Sequence, residues 1–251
     1  MDEIEAIERA TLAGVPPRAQ ESWNGWLLPF DDGTVGRCHS AVPLRHEAPE
    51  PGTLAGIEQR YAGAGLATVL RVPQLPAFAP LQAQLRAAGY VAYKPTLLMV
   101  GRVSDLAGPA ESSAAVELSD SAAADWEQVF LGEGFDPVDG ASRLAILRRG
   151  RDSVFASVRQ EGRTVAVGAG CFSHGWCGVH GMRTLPAFRG RGFAGAVLSA
   201  LARRAREQGI ERCFLQVEEG NVPARSLYAR RGFAPAWGYA YWKKAVGEGG
   251  S

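Results

Sequence analysis

The chain has 251 residues, 46% hydrophobic and 21% charged, the composition of a globular protein rather than a disordered or fibrous one. Its 27 basic and 26 acidic residues leave a net charge of +1, which gives no overall pull toward nucleic acid or an anionic membrane. The length exceeds that of one small α/β domain, so two are expected.

Lys occurs only at positions 94, 243 and 244 amid abundant Arg, Ala and Gly, a bias that suggests a GC-rich, bacterial genome rather than a function. Cys38, Cys171, Cys177 and Cys213 form no CxxC pair and no metal-ligand spacing with the four histidines. No metal is therefore expected, and Cys171 and Cys213, in apolar runs, read as buried thiols. No apolar run approaches a bilayer-spanning length, and the acidic start lacks the form of a signal peptide. The cytoplasm is the expected compartment, with neither membrane nor nucleic acid as a partner.

In chain order, Trp23-Asn24-Gly25-Trp26 leads to Asp31-Asp32-Gly33, which suits a hairpin turn, and then to a strand over 34–42. The aromatics, with Arg37 and His39, either line an acceptor cleft or fill the local core and its contact with the second half; the core reading is favoured. Residues 57–66 and 81–90 each read as a helix ended by Gly and followed by a strand. Small, polar and Pro/Gly-bearing residues around 103–115 mark a linker. The division is thus 1–103, a linker at 104–115, a second domain at 116–246 and a disordered tail at 247–251.

The second domain reads as a strand at 116–118, helices at 121–131 and 139–150, and a hairpin of 153–159 with 164–172 around Glu161-Gly162. A strand at 178–184 comes next. Phe193, Val197, Leu198, Leu201 and Ala205 then recur at helical spacing opposite Arg203, Arg204 and Arg206. Residues 211–217 form another strand, 221–233 a helix ended by Gly, and 234–244 an aromatic strand.

Between strand and helix lies Arg189-Gly190-Arg191-Gly192-Phe193-Ala194-Gly195. Such a loop exposes backbone N–H groups at a helix N-terminus, where the dipole favours anions. Glycines without a Cβ let a phosphate approach the main chain, and Arg189 and Arg191 add charge-assisted donors. It is neither the dinucleotide fingerprint nor a Walker loop. Its Arg-x-x-Gly-x-Ala spacing resembles the coenzyme A pyrophosphate loop of the GCN5-related N-acetyltransferases (GNATs). Asn221-Val-Pro-Ala224-Arg-Ser-Leu227-Tyr228, followed by Gly232-Phe233, resembles the same family's Asn-x-x-Ala-x-x-Leu-Tyr-x-x-x-Gly-Phe stretch at every fixed position.

The resemblance implies an α/β (α+β) GNAT fold: a mixed, mostly antiparallel central sheet flanked by helices. It also implies an acetyl-CoA-dependent N-acetyltransferase acting by direct attack of an amine on the thioester. By resemblance, Met182, Arg183 and Thr184 offer backbone donors to the acyl oxygen and pantetheine, and residues 189–195 hold the pyrophosphate. Asn221 and Arg225 are assigned to the coenzyme, and Tyr228 protonates the departing thiolate. Read from the residues alone, Asn221 also suits a helix cap before Pro223, and Tyr228 suits simple packing. Glu133, His174, His180, Glu218 and Glu219 are candidates for a general base, none of them singled out. His180 alternates with Met182 and Thr184 and is expected on their side of the strand.

The first half resembles an eroded copy of the second: residues 57–66 parallel 201–210, and 81–90 parallel 224–233. Projected onto it, the loop 189–195 falls on Arg45-His46-Glu47-Ala48-Pro49-Glu50-Pro51, which has lost its glycines and gained carboxylates and prolines. Asn221 falls on Phe78 and Tyr228 on Leu85. One coenzyme per chain is therefore expected. The acceptor is a small-molecule or peptide amine, and the chain is a monomer or homodimer. The alternatives are a non-catalytic acyl-CoA sensor, which has no need of Tyr228, and an acyltransferase using a larger donor.

Overall fold

The computed structural model describes residues 2–106, 114–132 and 136–245. Helix α1 (Glu3–Gly14) opens the chain, capped by the Asp2 carboxylate, which accepts from the Glu3 N–H. A small antiparallel sheet comes next, β1 (Ala19–Trp23), β2 (Trp26–Phe30) and β3 (Val42–Pro43). The first half is completed by α2 (Thr53–Gly63), β4 (Val69–Pro73), α3 (Ala79–Ala87), β5 (Tyr90–Arg102) and a helical turn α4 (Val103–Leu106). The second half runs β6 (Val116–Ser119), α5 (Ala124–Phe130), α6 (Pro137–Arg148), β7 (Ser153–Gln160), β8 (Arg163–Ser173) and β9 (Trp176–Thr184). It ends with α7 (Phe193–Glu207), β10 (Arg212–Glu218), α8 (Val222–Arg230) and β11 (Ala234–Lys244).

The hairpins come from two-residue turns whose central residues both sit at positive φ, the geometry that matches strand twist. Asn24-Gly25 (44° and 75°) joins β1 to β2, and Glu161-Gly162 (52° and 77°) joins β7 to β8. His174-Gly175 (51° and 76°) joins β8 to β9. The hairpin expected at Asp31-Asp32-Gly33 is therefore at Asn24-Gly25 instead. The Asp31 carboxylate is occupied by the Arg18 and Gly33 N–H groups and by Arg149, at 2.7–3.0 Å. Nor is 34–42 a strand: Gly36–His39 is a 3-10 turn, Ala41 makes only an isolated bridge to Leu70, and ladder pairing begins at Val42.

Eight strands form one sheet in the order β4-β11-β5-β10-β9-β8-β7-β6. Pairing is antiparallel except between β9 and β10. Strand β5 lies between β10 and β11, and β11 lies between β4 and β5, so strand pairing crosses the expected boundary at 104–115. That segment starts inside the core, because Val103 and Leu106 are 2% exposed among the residues under α7. Residues 107–113 and the expected tail at 247–251 lie outside the described residues.

Helix α7 lays Val197, Leu198, Leu201, Ala202 and Ala205 on one face of the sheet. Each large side chain so buried stabilises by roughly 1.5–3 kcal/mol. Helix α1 covers the opposite face: a Cβ on its Gly14 would touch Cys171, whereas a Cβ on the neighbouring Gly170 would touch Leu201 of α7. Trp126 and Phe130 of α5 pack on that second face beside α1. All four cysteines are buried and free. Among the described residues, no helix is long and apolar enough to cross a membrane.

Candidate active site

The β9–β10 pairing runs from Arg212↔Trp176 to Leu215↔Val179. Beyond it the strands part: β9 continues beside β8 to Thr184, and β10 continues beside β5 to Glu218. A cleft of ≈ 850 Å³ lies in the fork, walled by residues 179–184 on one side and 215–218 on the other. Two parallel strands that splay leave backbone groups without sheet partners, and a ligand can use them.

One irregularity sharpens this wall. Val167 pairs with Arg183 and Ala169 with His180, so Gly168 alone faces Gly181 and Met182, a bulge with Gly181 at φ 61°. The extra residue reverses the facing of the positions after it. Met182 points at Gly168 and Val197 beneath α7, while His180 packs against Gly14, Gly178 and Phe214 on the α1 face. The expectation that His180 and Met182 share a side is thus corrected, because alternation does not survive a bulge.

Arg183, Thr184, Arg189, Gly190, Gly192, Phe193, Ala194 and Gly195 also line the cleft, at the start of α7. Gly190 (75°) and Gly192 (76°), the latter the N-cap of α7, occupy a backbone region that a Cβ disfavours. Space beside Gly190 is open. Gly195 answers a different need: a Cβ there would lie 1.9 Å from the Arg231 guanidinium. Its missing side chain admits Arg231 across the first turn of α7. The first three N–H groups of the helix have no intrahelical acceptor, so the loop presents donors to the cleft. Arg183 donates to the Gly132 carbonyl at 3.0 Å, tying the segment after α5 to this wall.

Asn221 and Tyr228 of the α8 segment complete the wall with Pro223, Ala224 and Leu227. The Asn221 side chain also accepts from the Ala224 N–H at 3.2 Å, so it caps α8 while lining the cleft. Tyr228 is 8% exposed, edge-on to Phe233, and burial raises its phenol to about 12. Two expected coenzyme residues fall outside the cleft wall. Arg191 lies over the Phe188 ring, 5.1 Å from its centroid, and Arg225 donates to the Glu219 carbonyl at 2.8 Å.

The candidate bases separate cleanly. His174 sits at the β8–β9 turn and Glu219 beside Gly238, both off the cleft, and Glu133 is outside the described residues. His180 lines the cleft but is held neutral. Burial, reinforced by Arg37, lowers it to about 3. Its Nδ1 faces Arg37 Nη1 at 3.3 Å; since a guanidinium only donates, the imidazole proton sits on Nε2. Glu218 lines the cleft as well.

The first half contributes more than expected. Val15, Val35 and Arg37 line the cleft, joined by Phe130, Arg143 and Leu147. Trp26 is core, as favoured, whereas Arg37 reaches the site. No local pattern marks Arg37: it stands between the buried Val35 and Cys38, and its place in the site comes from the 3-10 turn that replaces the expected strand.

A fork between parallel strands, a bulge at its mouth and a glycine-bent anion loop at a helix start define an acyltransferase of the GNAT superfamily. The chain belongs to the family described as "Probable histone acetyltransferase Rv0428c C-terminal", whose model matches residues 1–242. It is 26% identical over 239 residues to the "Uncharacterized N-acetyltransferase YobR" of Bacillus subtilis (strain 168), covering 94% of this chain and 96% of that one. Its fold is similar to the GCN5-related N-acetyltransferase from Kribbella flavida, with a TM-score of 0.70 at 21% identity, covering 99% and 98% of the two chains. It is also similar to the "Tandem GNAT protein from the clavulanic acid biosynthesis pathway", with a TM-score of 0.60 at 14% identity, covering 96% and 94%.

Proposed function

We propose that the chain moves an acetyl group from acetyl-CoA to a primary amine of a small molecule or peptide, by direct attack on the thioester. What carries this reading is that the loop at 189–195, the bulge at Gly181–Met182, Asn221 and Tyr228 wall one cleft. The coenzyme's pyrophosphate meets the N–H groups opening α7, and its pantetheine arm runs into the fork. Backbone N–H groups of the bulge and of residues 182–184 face the carbonyl oxygen, where negative charge develops.

The amine nitrogen bonds to the carbonyl carbon and the C–S bond breaks. The sulfur takes a proton from Tyr228, and the amine gives one up to Glu218, directly or through water. A phenol at about 12 stays protonated at any working pH, so Tyr228 acts as donor and never as base. His180, lowered to about 3, holds no proton-accepting power near neutrality and serves to position Arg37.

The first half reads as a degenerate copy of the second. Gly65 (69°) and Gly209 (72°) end α2 and α7, while Gly89 (80°) and Gly232 (85°) end α3 and α8. The isolated parallel bridge Ala41↔Leu70 occupies the place of the β9–β10 pair. One detail of the projection changes: α2 has 11 residues to the 15 of α7, so Gly52 (82°), not Ala48, takes the N-cap place of Gly192. Glu47, Glu50, Pro49 and Pro51 still precede it, and the Glu50 backbone carbonyl already accepts the Thr53 N–H. One coenzyme per chain is the consequence.

Calorimetric titration with acetyl-CoA tests the cradle. One micromolar site is expected, abolished in Gly192→Glu, which adds strain and negative charge at the N-cap. Tyr228→Phe is expected to bind acetyl-CoA normally and to lose about 10²-fold in kcat, the range of a proton donor. No binding to the unmodified chain discards the enzyme reading, and an unaltered kcat in Tyr228→Phe removes the tyrosine from it.

A further inference from the structure

Beside the cleft lies a smaller chamber of ≈ 250 Å³ that shares Val35, Arg37, Arg143, Gln216 and Glu218 with it. The rest of its wall joins both halves of the chain: His39 from the 3-10 turn, Tyr93 and Lys94 from β5, and Tyr239 and Tyr241 from β11. Strand β5 breaks register at this point. Tyr241 pairs with Tyr93 and Tyr239 with Thr96, which leaves Ala240 opposite both Lys94 and Pro95. Lys94 sits at φ 48°, an uncommon and strained conformation for a residue with a Cβ. Strain of this kind clusters at ligand sites, where a bulge re-aims a side chain.

The charges are unequally placed. Lys94 belongs to the chamber alone, and Arg37 and Arg143 stand where chamber and cleft meet. Arg143 also pairs with Asp139 at 2.8 Å. Among the described residues, the one carboxylate in the chamber wall, Glu218, is at that same junction. Tyr239 donates to Gln216 Oε1 at 2.6 Å and so fixes the partition between the two spaces.

We propose that this chamber is the acceptor subsite and that the acceptor is a small amine carrying an anionic group, in the simplest case a free amino acid. Its ammonium meets Glu218 at the junction, within reach of the thioester in the fork. Its anion meets Lys94 and Arg37. A chamber of ≈ 250 Å³ has room for a molecule of that size. This rests on the acetyl-transfer reading above, and the two fail differently.

The test is a panel of acceptors with the full-length chain, read as thiol release from acetyl-CoA. The panel holds glycine, β-alanine, 4-aminobutanoate, 5-aminopentanoate and O-phosphoethanolamine, with alkylamines of matching length and a neutral lysine peptide. At least one anionic amine is expected to exceed the matched alkylamine roughly tenfold in kcat/KM, the scale of one charge-assisted contact. The phosphate compound separates recognition of any anion from recognition of a carboxylate. Lys94→Asn, which suits positive φ and removes the charge, is expected to close that gap while the Kd for acetyl-CoA stays unchanged. Turnover of the alkylamines or the peptide as fast as the anionic amines overturns the acceptor class and leaves acetyl transfer standing. A gap that survives Lys94→Asn leaves the acceptor class standing and overturns the chamber as the seat of the anion. Absence of acetyl-CoA binding brings down both readings, and binding without thiol release from any anionic amine overturns this one.

Discussion

His180 makes the fold sensitive to acid. Its imidazole is 4% exposed and lowered from 6.5 to about 3, by burial first and by Arg37 second. In the unfolded chain the same ring takes up a proton near its ordinary value of about 6.5. A group whose folded value is depressed contributes stability that is fully present above the unfolded value and is lost as pH falls toward the folded one. Between pH 6.5 and 5 the loss is on the order of 1–2 kcal/mol from this residue. Urea midpoints measured from pH 7 to 4.5 are expected to fall more steeply for the unmodified chain than for His180→Gln. The carboxylates held low, Asp125 by its Thr164 hydrogen bond and Asp139 through Thr34 and Arg143, titrate below this window and cancel in the comparison. Parallel curves for the two proteins show that the ring is not held neutral. Gly14 and Gly178 leave the room the imidazole occupies, since a Cβ on either would lie 2.3 or 2.9 Å from Nε2. The burial that makes His180 a poor base is thus built from two glycines and an arginine, none adjacent in sequence.

At the scale of elements, α1 is fixed by an ion pair with no access to water. Glu8 Oε2 meets Arg71 of β4 at 2.6 Å, with side chains 2% and 1% exposed. Burial holds the Glu8 carboxyl above its ordinary range and Arg71 limits the rise. Removing one partner strands the other charge, so Glu8→Gln is expected to cost about 3–5 kcal/mol, while Glu8→Met with Arg71→Met recovers most of it. Chemical denaturation checks both, and a cost under about 1 kcal/mol for Glu8→Gln shows that the pair is dispensable. This pair also explains why the chain start was harder to read than its second half. The buried side of α1 includes Glu8 and Thr11 among Ile7, Ala10 and Leu12, and the partner of Glu8 lies in β4. The helices and strands after residue 115 announced themselves locally, through apolar periodicity in α7, the Glu161-Gly162 turn and the Asn221 cap, whereas the 3-10 turn Pro186–Phe188 did not. The cleft was legible where its residues are contiguous, as in 189–195 and 221–228. It was not legible where a bulge turns β9 over at Gly181 or where Arg37 arrives from a turn far upstream, because neither leaves a periodic trace.

At the scale of the molecule, the sheet interleaves the two halves. Strand β5 pairs with β10 through seven positions, Arg212↔Arg102 to Glu218↔Thr96, and with β11 on its other side. Were residues 114–251 alone, β10 would lose that neighbour and β11 would lose both of its partners, β4 and β5. The exposed edges would all lie on the β10 side of the fork, where Leu215, Val217 and Tyr239 are now buried, and unpaired apolar edges aggregate. The acceptor chamber would also lose Arg37, His39, Tyr93 and Lys94. Expression of residues 114–251 alone is therefore expected to give insoluble or unfolded material, despite its carrying the whole loop at 189–195, Asn221 and Tyr228. Co-expression with residues 1–106 is expected to return a soluble one-to-one complex that binds acetyl-CoA, because the break falls outside the paired strands. Size-exclusion chromatography and calorimetry on the co-purified fragments read this directly. A C-terminal fragment that folds alone and binds acetyl-CoA as tightly as the whole chain shows that β5 is an accessory strand. The reverse outcome makes the division of this sequence into a binding half and an eroded half a statement about ancestry only, since the working unit spans the two.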